Sequence, residues 1–337
     1  MTDTTEHAPR SDGGVGWGIL ATGGIAQLFA RDLAMHGHRI AAVGSRTLES
    51  ARRFAEEFDI PSAYGSYAEL VADPDVDVVY VATPHNLHLV NACDALTNGK
   101  HVLVEKAFTL NADQARTVVE LGEERGLLVL EAMWTRFLPH MAFVREVIAS
   151  GRIGEVRSLH ADHTQDLPTA PTHRLNDPAL GGGALLDLGV YPLSFAHDLL
   201  GAPTEVMAHG VLGPTGVEVS VATILDHGDG VVSTSFSSLR TRGPNRAVVL
   251  GTEGRIEIDA VWYTPTSVTV LDADGRAVDR FTQVVSGRGM QYQAAEVERL
   301  LAAGERVSPL MTPEDSIAVM ATMDRARAAI GVRYPGE

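Results

Sequence analysis

The sequence predicts an α/β domain with a doubly wound parallel sheet, followed by an α+β domain with a large, mostly antiparallel open sheet that helices cover on one face. In the first half, short apolar runs alternate with helix-compatible segments between residues 16 and 130, which indicates parallel strands joined by right-handed crossovers. In the second half, runs rich in Val, Thr and Ser alternate in polarity, and turn pairs such as Asp229-Gly230 and Asp274-Gly275 separate several of them. That pattern is typical of antiparallel hairpins.

The first half predicts a run of strands with a helix between most of them. The strands are expected at residues 18–20, 39–44, 61–64, 77–82, 101–104 and 127–130, and the helices at residues 25–36, 47–58, 66–72, 86–97 and 111–125. Gly37, Gly99 and Gly126 follow three of these helices, where glycine commonly ends a helix in a left-handed conformation. We therefore expect a first domain at residues 15–133, preceded by a flexible polar tail at residues 1–14.

The second half predicts a domain that covers residues 134–337. Its strands are expected at residues 156–163, 205–212, 217–226, 231–239, 247–251, 254–259, 267–271 and 278–283, and its helices at residues 139–150, 182–200, 289–303 and 313–330. Helices must cover one face of this sheet. The other face meets either a partner subunit or water, and the polarity pattern alone does not decide between them.

The composition describes an ordinary globular protein and excludes several classes of partner. The 337 residues, of which 45% are hydrophobic and 21% charged, are enough for two domains with substantial cores. A net charge of -16 argues against nucleic-acid and membrane-surface partners, because both demand clustered Lys and Arg. The single cysteine, Cys93, excludes an internal disulfide, and no apolar run approaches the roughly 20 residues of a membrane span. We therefore expect a cytoplasmic protein.

Residues 16–26, read as GWGILATGGIA, carry a strand, a glycine turn and the start of a helix. This order matches the dinucleotide-binding form G-x-G-x-x-A, with Ala21 in place of the first glycine. In such a turn Gly23 lets the backbone approach a pyrophosphate, and Ala26 lets the helix pack closely on the strand. The helix N-terminus adds free N–H groups and a partial positive charge. The sequence therefore predicts a dinucleotide site at this turn.

The residues after the second strand indicate which dinucleotide is bound. An Asp or Glu at this point, about 20 residues beyond the turn, would bind the ribose 2′-hydroxyl of NAD. The chain has Ser45 and Arg46 instead, and an arginine offers a planar fork of donors to a 2′-phosphate. We therefore expect NADP, with NAD as the alternative if Arg46 is an ordinary surface residue.

Three polar segments follow the fourth, fifth and sixth strands, whose carboxyl ends share one edge of the sheet, where ligands bind. The segments read TPHNLH at 83–88, EKAF at 105–108 and EAMWTR at 131–136. Lys106 comes directly after a buried strand that carries it towards the crevice, and the alternative is a solvated surface lysine. His85 and His88 have a metal-ligand spacing, but no third ligand is evident and packing histidines fit better. No metal is therefore expected.

A fourth segment, GGGALLDLGVY at residues 181–191, places Asp187 and Tyr191 four residues apart on one face of a predicted helix. The three glycines before this helix permit close approach of the backbone. Each polar residue has an ordinary alternative, since a core can hold a satisfied Asp and a packed Tyr. Beside a lysine and a cofactor turn, the pair favours acid–base chemistry.

Together these segments resemble the Gfo/Idh/MocA family of NAD(P)-dependent oxidoreductases. The resemblance is carried by GGGALLDLGVY, the EK pair after the fifth strand, ATPHNLH and EAMWTRF, and it runs from residue 17 to residue 331. EAMWTRF, Tyr191 and GRGMQYQAAEVERLL are most similar to the dihydrodiol dehydrogenase and NADP-dependent D-xylose dehydrogenase branch. The resemblance implies a Rossmann domain, then a substrate-binding domain whose sheet joins a homodimer or homotetramer.

The resemblance also assigns roles to residues by position. Lys106, Asp187 and Tyr191 correspond to catalytic residues, with Tyr191 at a position that is histidine in many relatives. The cofactor would contact Gly23, Gly24, Ile25, Ala26, Ser45, Arg46, Thr83, Pro84, His88, Glu105 and Lys106. The substrate would contact Trp134, Arg136, His163, Arg174, Asp187 and Tyr191. Two positions depart from the family pattern, because Ala21 replaces a glycine and Ala107 replaces the proline of the E-K-P motif.

The expected reaction is hydride transfer between nicotinamide C4 and a secondary alcohol or ketone, as in dehydrogenases that act on CH–OH groups. Tyr191 would exchange the proton, while Lys106 would lower the tyrosine pKa from about 10 towards neutrality. Asp187 would position either Lys106 or a substrate hydroxyl. A crevice with these side chains suits a sugar, polyol or cyclic diol. Two alternatives stay open: a redox-assisted glycoside hydrolase or lyase that retains its cofactor, and a non-catalytic NADP-binding sensor.

Overall fold

A computed structural model describes residues 14–335, and the first of its two sheets has six parallel strands in the order β3-β2-β1-β4-β5-β6. The strands are β1 (Trp17–Leu20), β2 (Ile40–Gly44), β3 (Ser62–Tyr64), β4 (Val78–Val81), β5 (His101–Glu105) and β6 (Val129–Ala132). The chain order reverses between β1 and β4, and ligands bind at such a reversal, outside the carboxyl ends of the strands. The predicted tail at residues 1–14 lies outside the described residues, except for Gly14.

The helices of this domain begin and end where local hydrogen bonding predicts. They are α1 (Gly24–Met35), α2 (Leu48–Phe58), α3 (Tyr67–Val71), α4 (His88–Thr97) and α5 (Ala112–Arg125). The side chains of Thr47, Ser66 and Asn111 accept the free N–H groups at the starts of α2, α3 and α5. Gly126 ends α5 with a φ of 65°. The four residues each of β1 and β4 are fully buried, as expected for strands covered on both faces.

The second sheet has eight strands in the order β14-β13-β12-β11-β7-β10-β9-β8. They are β7 (Val156–Thr164), β8 (Glu205–Leu212), β9 (Glu218–Asp226), β10 (Val232–Ser238), β11 (Ala247–Gly251), β12 (Gly254–Ile258), β13 (Val268–Asp272) and β14 (Ala277–Phe281). Neighbouring strands are antiparallel except β7 and β10, which pair in parallel. The predicted fold class, a doubly wound parallel sheet followed by a mostly antiparallel one, is therefore confirmed.

Four helices complete the second half: α6 (Pro139–Ala149), α7 (Val190–Leu200), α8 (Gln291–Ala303) and α9 (Pro313–Ile330). Helix α9 contacts both β8 and α5 and so links the two sheets. The single helix predicted at residues 182–200 is instead a π-helical segment, Leu185–Gly189, that leads into α7. Such segments are frequent at functional sites because they alter which side chains share a face.

The outer face of the second sheet carries exposed apolar side chains on three adjacent strands. Met207 on β8 lies opposite Ile224 on β9, and Phe236 on β10 lies opposite Ala222 on β9. Met207, Ile224 and Phe236 are all more than two-fifths exposed. This part of the sheet therefore presents an apolar surface outwards, away from α9.

One stretch, Pro178–Leu200, is long and apolar enough to cross a membrane by length and composition alone. Inside this fold, however, 89% of its most apolar window is buried. Burial of that extent is what a core segment of a globular domain shows. The stretch packs against β10 and α9, so its hydrophobicity is explained by the core.

Candidate active site

A cleft of about 480 Å³ opens at the carboxyl ends of the parallel strands, between the two sheets. The strand register brings these ends together, since Leu20 pairs with Val81 and Val81 pairs with Val104. The cleft is lined by Gly23, Gly24, Ile25, Ala82, Thr83, Pro84, His85, Glu105, Lys106, His163, Gln165, Arg174, Asp187, Leu188, Tyr191, Tyr263 and Arg288. The predicted glycine turn and the three predicted catalytic residues thus line one cleft.

The glycine turn has the free backbone that a pyrophosphate needs. Gly23 precedes α1 and no side chain caps this end of the helix, so the first N–H groups of the helix remain available as donors to a ligand. A Cβ atom built on Gly23 or Gly24 would meet nothing within 4 Å, which leaves the backbone open to a ligand. Ala26 is buried and packs the helix on the sheet rather than lining the cleft. Ala21, which replaces the first fingerprint glycine, has a φ of 88°.

Ser45 and Arg46 lie at the end of β2, beside the glycine turn. The Ser45 hydroxyl is 3.3 Å from the Thr22 hydroxyl, and the Ala21 N–H donates to the Gly44 carbonyl at 2.9 Å. Ser45 is buried and Arg46 is exposed. Neither residue lines the cleft itself, so the two sit at its outer margin, where the adenosine half of a dinucleotide would extend from the turn.

Lys106, Asp187 and Arg174 form a charged cluster on the wall of the cleft. The Lys106 ammonium donates to the Asp187 main-chain oxygen at 3.0 Å and lies 3.6 Å from the carboxylate Oδ1. Arg174 donates to the same Oδ1 at 3.2 Å. Burial opposes ionisation of Asp187, but Lys106 and Arg174 outweigh it and hold the carboxyl pKa well below its usual range. Burial likewise opposes the lysine charge, yet Asp187 raises the pKa of Lys106 overall, so both groups are charged.

Tyr191 lies beside this cluster, at the start of α7. The indole Nε1 of Trp134 donates to the Tyr191 hydroxyl at 3.0 Å, and the Lys106 ammonium lies 5.2 Å from the centre of the phenol ring. Burial raises the pKa of Tyr191 and outweighs the opposing effects of Lys106 and of the Trp134 hydrogen bond. The net shift is opposite to the direction expected from the sequence. Tyr191 therefore keeps its proton at neutral pH.

An aromatic wall faces the charged cluster. The His163 and Tyr263 rings stack with centres 3.8 Å apart, and the Tyr191 ring lies 5.3 Å from Tyr263. The His163 Nε2 is 2.9 Å from the Gln165 side-chain nitrogen. Burial lowers the pKa of His163 to about 3 and raises the pKa of Tyr263 to about 12, so both side chains are neutral in the physiological range.

The two histidines that follow β4 both lie within hydrogen-bond distance of backbone carbonyls; His85 also lines the cleft, whereas His88 is not among its lining residues. The His88 ring is fully buried, with Nε2 2.8 Å from the Thr83 carbonyl and Nδ1 3.0 Å from the Ala107 carbonyl. His88 therefore supports the backbone on either side of the cleft, while Thr83 and Pro84 line it. The His85 Nδ1 lies 3.0 Å from the Gly181 carbonyl. Within residues 14–335, no three His, Cys, Asp or Glu side chains are grouped to hold a metal ion.

Two predicted substrate residues on the segment after β6 are not exposed in the cleft. The Arg136 guanidinium donates to Ser194 at 2.9 Å and to Asp315 at 3.2 Å, so it ties this segment to α7 and to the start of α9. Arg136 is only 3% exposed. Trp134 is likewise buried, and it meets two cleft residues, through a hydrogen bond to Tyr191 and beneath the guanidinium of Arg288. Arg136 lies outside the cleft, whereas Trp134 lies directly behind the catalytic candidate.

Two buried carboxylates, Glu105 and Glu218, support the segments that carry the catalytic candidates, and Glu105 also lines the cleft. Glu105 accepts a hydrogen bond from the Tyr80 hydroxyl, and burial raises the pKa of Glu105. Glu218 accepts the N–H of Leu185 at 2.8 Å, at the start of the π-helical segment that carries Asp187. A Cβ atom on Gly183 would lie 2.2 Å from the Glu218 Oε1, and Gly183 has a φ of 127°. This close approach explains a glycine in the run before Asp187.

Several cleft residues were not predicted from the sequence. Tyr263 and Gln165 come from turns beyond strands of the second sheet, and Arg288 comes from the loop before α8. Arg288 lies in the GRGMQYQ motif, which contributed to the family resemblance. That motif is the signal in the sequence that could have identified Arg288 as a site residue. Tyr263 and Gln165 lie in segments without a local pattern that indicates a site.

Two protein-family models match the chain. The model described as "Oxidoreductase family, NAD-binding Rossmann fold" matches residues 15–133, and the model described as "GFO/IDH/MocA C-terminal domain" matches residues 141–257. The chain belongs to the Gfo/Idh/MocA family. The resemblance seen in the motifs is thereby confirmed, and the chain is an NAD(P)-dependent oxidoreductase.

Relatives of this Gfo/Idh/MocA chain include named dehydrogenases along nearly its whole length. A trans-1,2-dihydrobenzene-1,2-diol dehydrogenase of Xenopus laevis is 35% identical over 328 residues, covering 95% of this chain and 99% of the relative. A D-xylose 1-dehydrogenase (NADP(+)) of Hypocrea jecorina is 38% identical, covering 95% of this chain and 93% of the relative. These relatives belong to the branch that the sequence motifs resemble.

Solved structures have the same architecture. The 3-ketoreductase KijD10 of Actinomadura kijaniata, in complex with NADP and TDP-benzene, is 29% identical with a TM-score of 0.83, covering 94% of this chain and 98% of that one. A levoglucosan dehydrogenase in complex with NADH and levoglucosan has a TM-score of 0.85 at 21% identity, covering 95% and 99%. The second similarity shows the fold alone.

Proposed function

We propose that this enzyme transfers a hydride between nicotinamide C4 and a secondary alcohol or ketone of a sugar, polyol or cyclic diol. The observation that carries the proposal is the meeting of Lys106, Asp187 and Tyr191 in the cleft that also contains the open glycine turn. A charged lysine, its carboxylate partner and a protonated phenol supply the groups that a carbonyl–alcohol interconversion needs. The names of the diol and xylose dehydrogenase relatives support the same substrate class.

The residues present fit a bound dinucleotide. Gly23, Gly24 and Ile25 would hold the pyrophosphate against the N-terminus of α1, while Thr83, Pro84 and Glu105 would lie along the nicotinamide half. The bound nicotinamide supplies the hydride acceptor or donor. We further propose NADP over NAD, because Ser45 and Arg46 stand where an acidic residue would select NAD. The NADP-dependent xylose dehydrogenase relative supports this choice.

The proton moves through Tyr191 in this proposal. In carbonyl reduction the phenol donates its proton to the forming alkoxide, and in alcohol oxidation the phenolate takes the proton of the substrate hydroxyl. The Lys106 ammonium, 5.2 Å from the ring centre, stabilises the phenolate and the alkoxide alike. Asp187 keeps Lys106 charged and in place, 3.6 Å from its carboxylate. His163 and Tyr263 pack around the substrate carbon and exclude water.

A homodimer or homotetramer, joined through the second sheet in a cytoplasmic protein, completes the proposal. The apolar side chains Met207, Ile224 and Phe236 on the outer face of that sheet support a second copy of the chain as the partner. Sedimentation of the purified protein tests it. A discrete dimer or tetramer is expected, and a monomer that persists at micromolar concentration would contradict it.

A screen of NADP+ reduction tests the reaction itself. Pentoses, hexoses, inositols and vicinal diols are supplied to the enzyme with NADP+ and then with NAD+, and NADPH formation is followed by absorbance. Turnover is expected with at least one polyol and preferentially with NADP+. Cleavage of a glycoside without net NADPH formation would favour the redox-assisted hydrolase or lyase, and NADP+ binding without turnover of any compound would favour the sensor.

A further inference from the structure

Arg288 differs from the other cations that line the cleft, because no carboxylate of the described residues lies within 4 Å of its guanidinium. Lys106 and Arg174 both contact the Asp187 carboxylate. The Arg288 guanidinium instead lies over the Trp134 indole, with its central carbon 4.9 Å from the ring centre. Its Nε is buried and has no hydrogen-bond acceptor within reach in residues 14–335. A donor in this state is ready for a ligand oxygen.

The main chain, rather than a side-chain ion pair, fixes Arg288 in place. The N–H groups of Arg288 and Met290 donate to the Asp32 carboxylate of α1 at 3.0 and 2.8 Å. Gly287, with a φ of 73°, passes so close to this carboxylate that a Cβ atom would lie 2.3 Å from Oδ1. Because Asp32 is occupied by backbone donors, the guanidinium remains free to face the cleft.

The position of Arg288 indicates which part of a ligand it faces. The indole beneath the guanidinium is the same one that donates to the Tyr191 hydroxyl at 3.0 Å. The guanidinium therefore lies on the Tyr191 side of the cleft, next to the group proposed to exchange a proton with the substrate. Lys106 and Arg174 already offset the Asp187 charge. Burial raises the pKa of Glu105, and Arg288 partly opposes this rise from a distance, so the guanidinium keeps its own hydrogen-bond donors for a ligand.

We propose that Arg288 binds an anionic group of the substrate, a carboxylate or a phosphate, so that the enzyme prefers sugar acids or sugar phosphates to the matching neutral sugars. This inference rests on the proposed function and specifies its substrate class. A planar guanidinium placed over an indole ring offers a fork of donors that matches carboxylate and phosphate oxygens. Charge-assisted hydrogen bonds of this kind correspond to roughly 10- to 100-fold in affinity.

Matched pairs of ligands test the proposal. Calorimetry on the NADP+ complex measures the dissociation constants of five ligands: D-glucose, D-glucuronate, D-galactose, D-galacturonate and D-glucose 6-phosphate. These constants and the turnover of each compound are compared for the wild type, Arg288→Gln and Arg288→Lys. Arg116→Gln, which removes an exposed arginine paired with Asp113 on α5, is the control. We expect the acids to bind roughly 10- to 100-fold more tightly than their parents in the wild type and the control. Arg288→Gln should abolish this preference, and Arg288→Lys should retain part of it.

Three outcomes would overturn the inference: no preference for acids in the wild type, a preference that survives Arg288→Gln, or a weaker affinity for NADP+ itself in Arg288→Gln with sugar preference unchanged. The last result would assign the guanidinium to the phosphates of the cofactor. Failure of the proposed function is a separate result. In that case the acids bind selectively, yet no polyol in the panel gives NADPH.

Discussion

The indole Nε1 of Trp134 donates a hydrogen bond to the hydroxyl of Tyr191 at 3.0 Å. Trp134 follows the last parallel strand of the first domain, and Tyr191 begins a helix of the second, so this bond joins the cofactor half of the enzyme to the proposed proton donor. It also stabilises the ionised form of the phenol, which the proposed mechanism requires when an alcohol is oxidised. Burial favours the protonated form, and the hydrogen bond counteracts part of that effect.

Replacing this donor tests its contribution. Trp134→Phe keeps an aromatic ring beneath Arg288 but removes the N–H, so the phenolate loses one hydrogen bond. A kcat for alcohol oxidation that is roughly 10- to 100-fold lower is expected, since hydrogen bonds to charged groups contribute about 1.5–3 kcal/mol. Steady-state kinetics in the oxidation direction provide the measurement. Equal kcat values for the two proteins at every pH would show that the bond has no part in the reaction.

Substitutions of Lys106 and Arg174 in the charged cluster should lower kcat to different extents. Lys106→Met removes the ammonium beside Tyr191, and a fall in kcat of roughly 10²- to 10⁴-fold is expected, as for other groups that stabilise charge in the transition state. Arg174→Gln should lower kcat much less, because its side chain is 49% exposed and water replaces part of its effect on Asp187. Fluorescence titration with NADP+ and circular dichroism check binding and folding. An equal loss of activity in the two variants would contradict the proposal that Lys106 stabilises the charge on Tyr191 and the substrate.

Cofactor preference should depend on Arg46. Arg46→Ala removes the guanidinium proposed to bind the 2′-phosphate, so the KM for NADP+ is expected to rise roughly 10- to 100-fold. The KM for NAD+ should stay within a factor of about three, since NAD+ lacks that phosphate. The matched control is Arg52→Ala, which removes an exposed arginine on the nearby helix α2. An equal effect of Arg46→Ala on both cofactors would contradict the proposed NADP specificity.

Backbone strain at the fingerprint turn predicts a stabilising substitution. Ala21 has a φ of 88°, a conformation that glycine adopts freely and alanine does not. Ala21→Gly should therefore raise the free energy of unfolding by about 1 kcal/mol. Ala142→Gly, at an exposed position inside α6, should lower it by a similar amount, because glycine is unfavourable within a helix. Urea unfolding measures both. A destabilised Ala21→Gly protein would show that the turn is not strained at this residue.

The fold was predictable because its signals are local. Apolar runs, capping residues such as Thr47 and glycines such as Gly126 act within a few residues, and they mark helices and strands that the structure contains nearly at the predicted bounds. The prediction of one continuous helix at residues 182–200 was wrong at its start. There Glu218, far along the chain, accepts the Leu185 N–H, and the segment that begins at Leu185 is π-helical up to α7.

The site was predictable only in part, because several of its contacts join distant segments. Lys106, Asp187 and Tyr191 stand in motifs with recognisable surroundings, and the structure brings them together. Arg136 follows a parallel strand in the same way, yet Ser194 and Asp315 draw its guanidinium into the interior. No local sequence pattern predicts that Arg136 binds such distant partners. The direction of the Tyr191 pKa shift also depends on how completely the phenol is buried, which a sequence does not reveal.

The most direct test of the account is the pH dependence of alcohol oxidation in the wild type and Tyr191→Phe. The raised pKa of Tyr191 means that the phenolate, the base in oxidation, increases about tenfold per pH unit below that pKa. The logarithm of kcat/KM should therefore rise with pH with a slope near one from about pH 6 to about pH 9, while carbonyl reduction, which uses the phenol, stays level. Tyr191→Phe should lose roughly 10²- to 10⁴-fold in kcat and the slope with it, while binding NADP+ normally. A variant that keeps the wild-type rate, or the same slope, would contradict the assignment of Tyr191 as the acid and base.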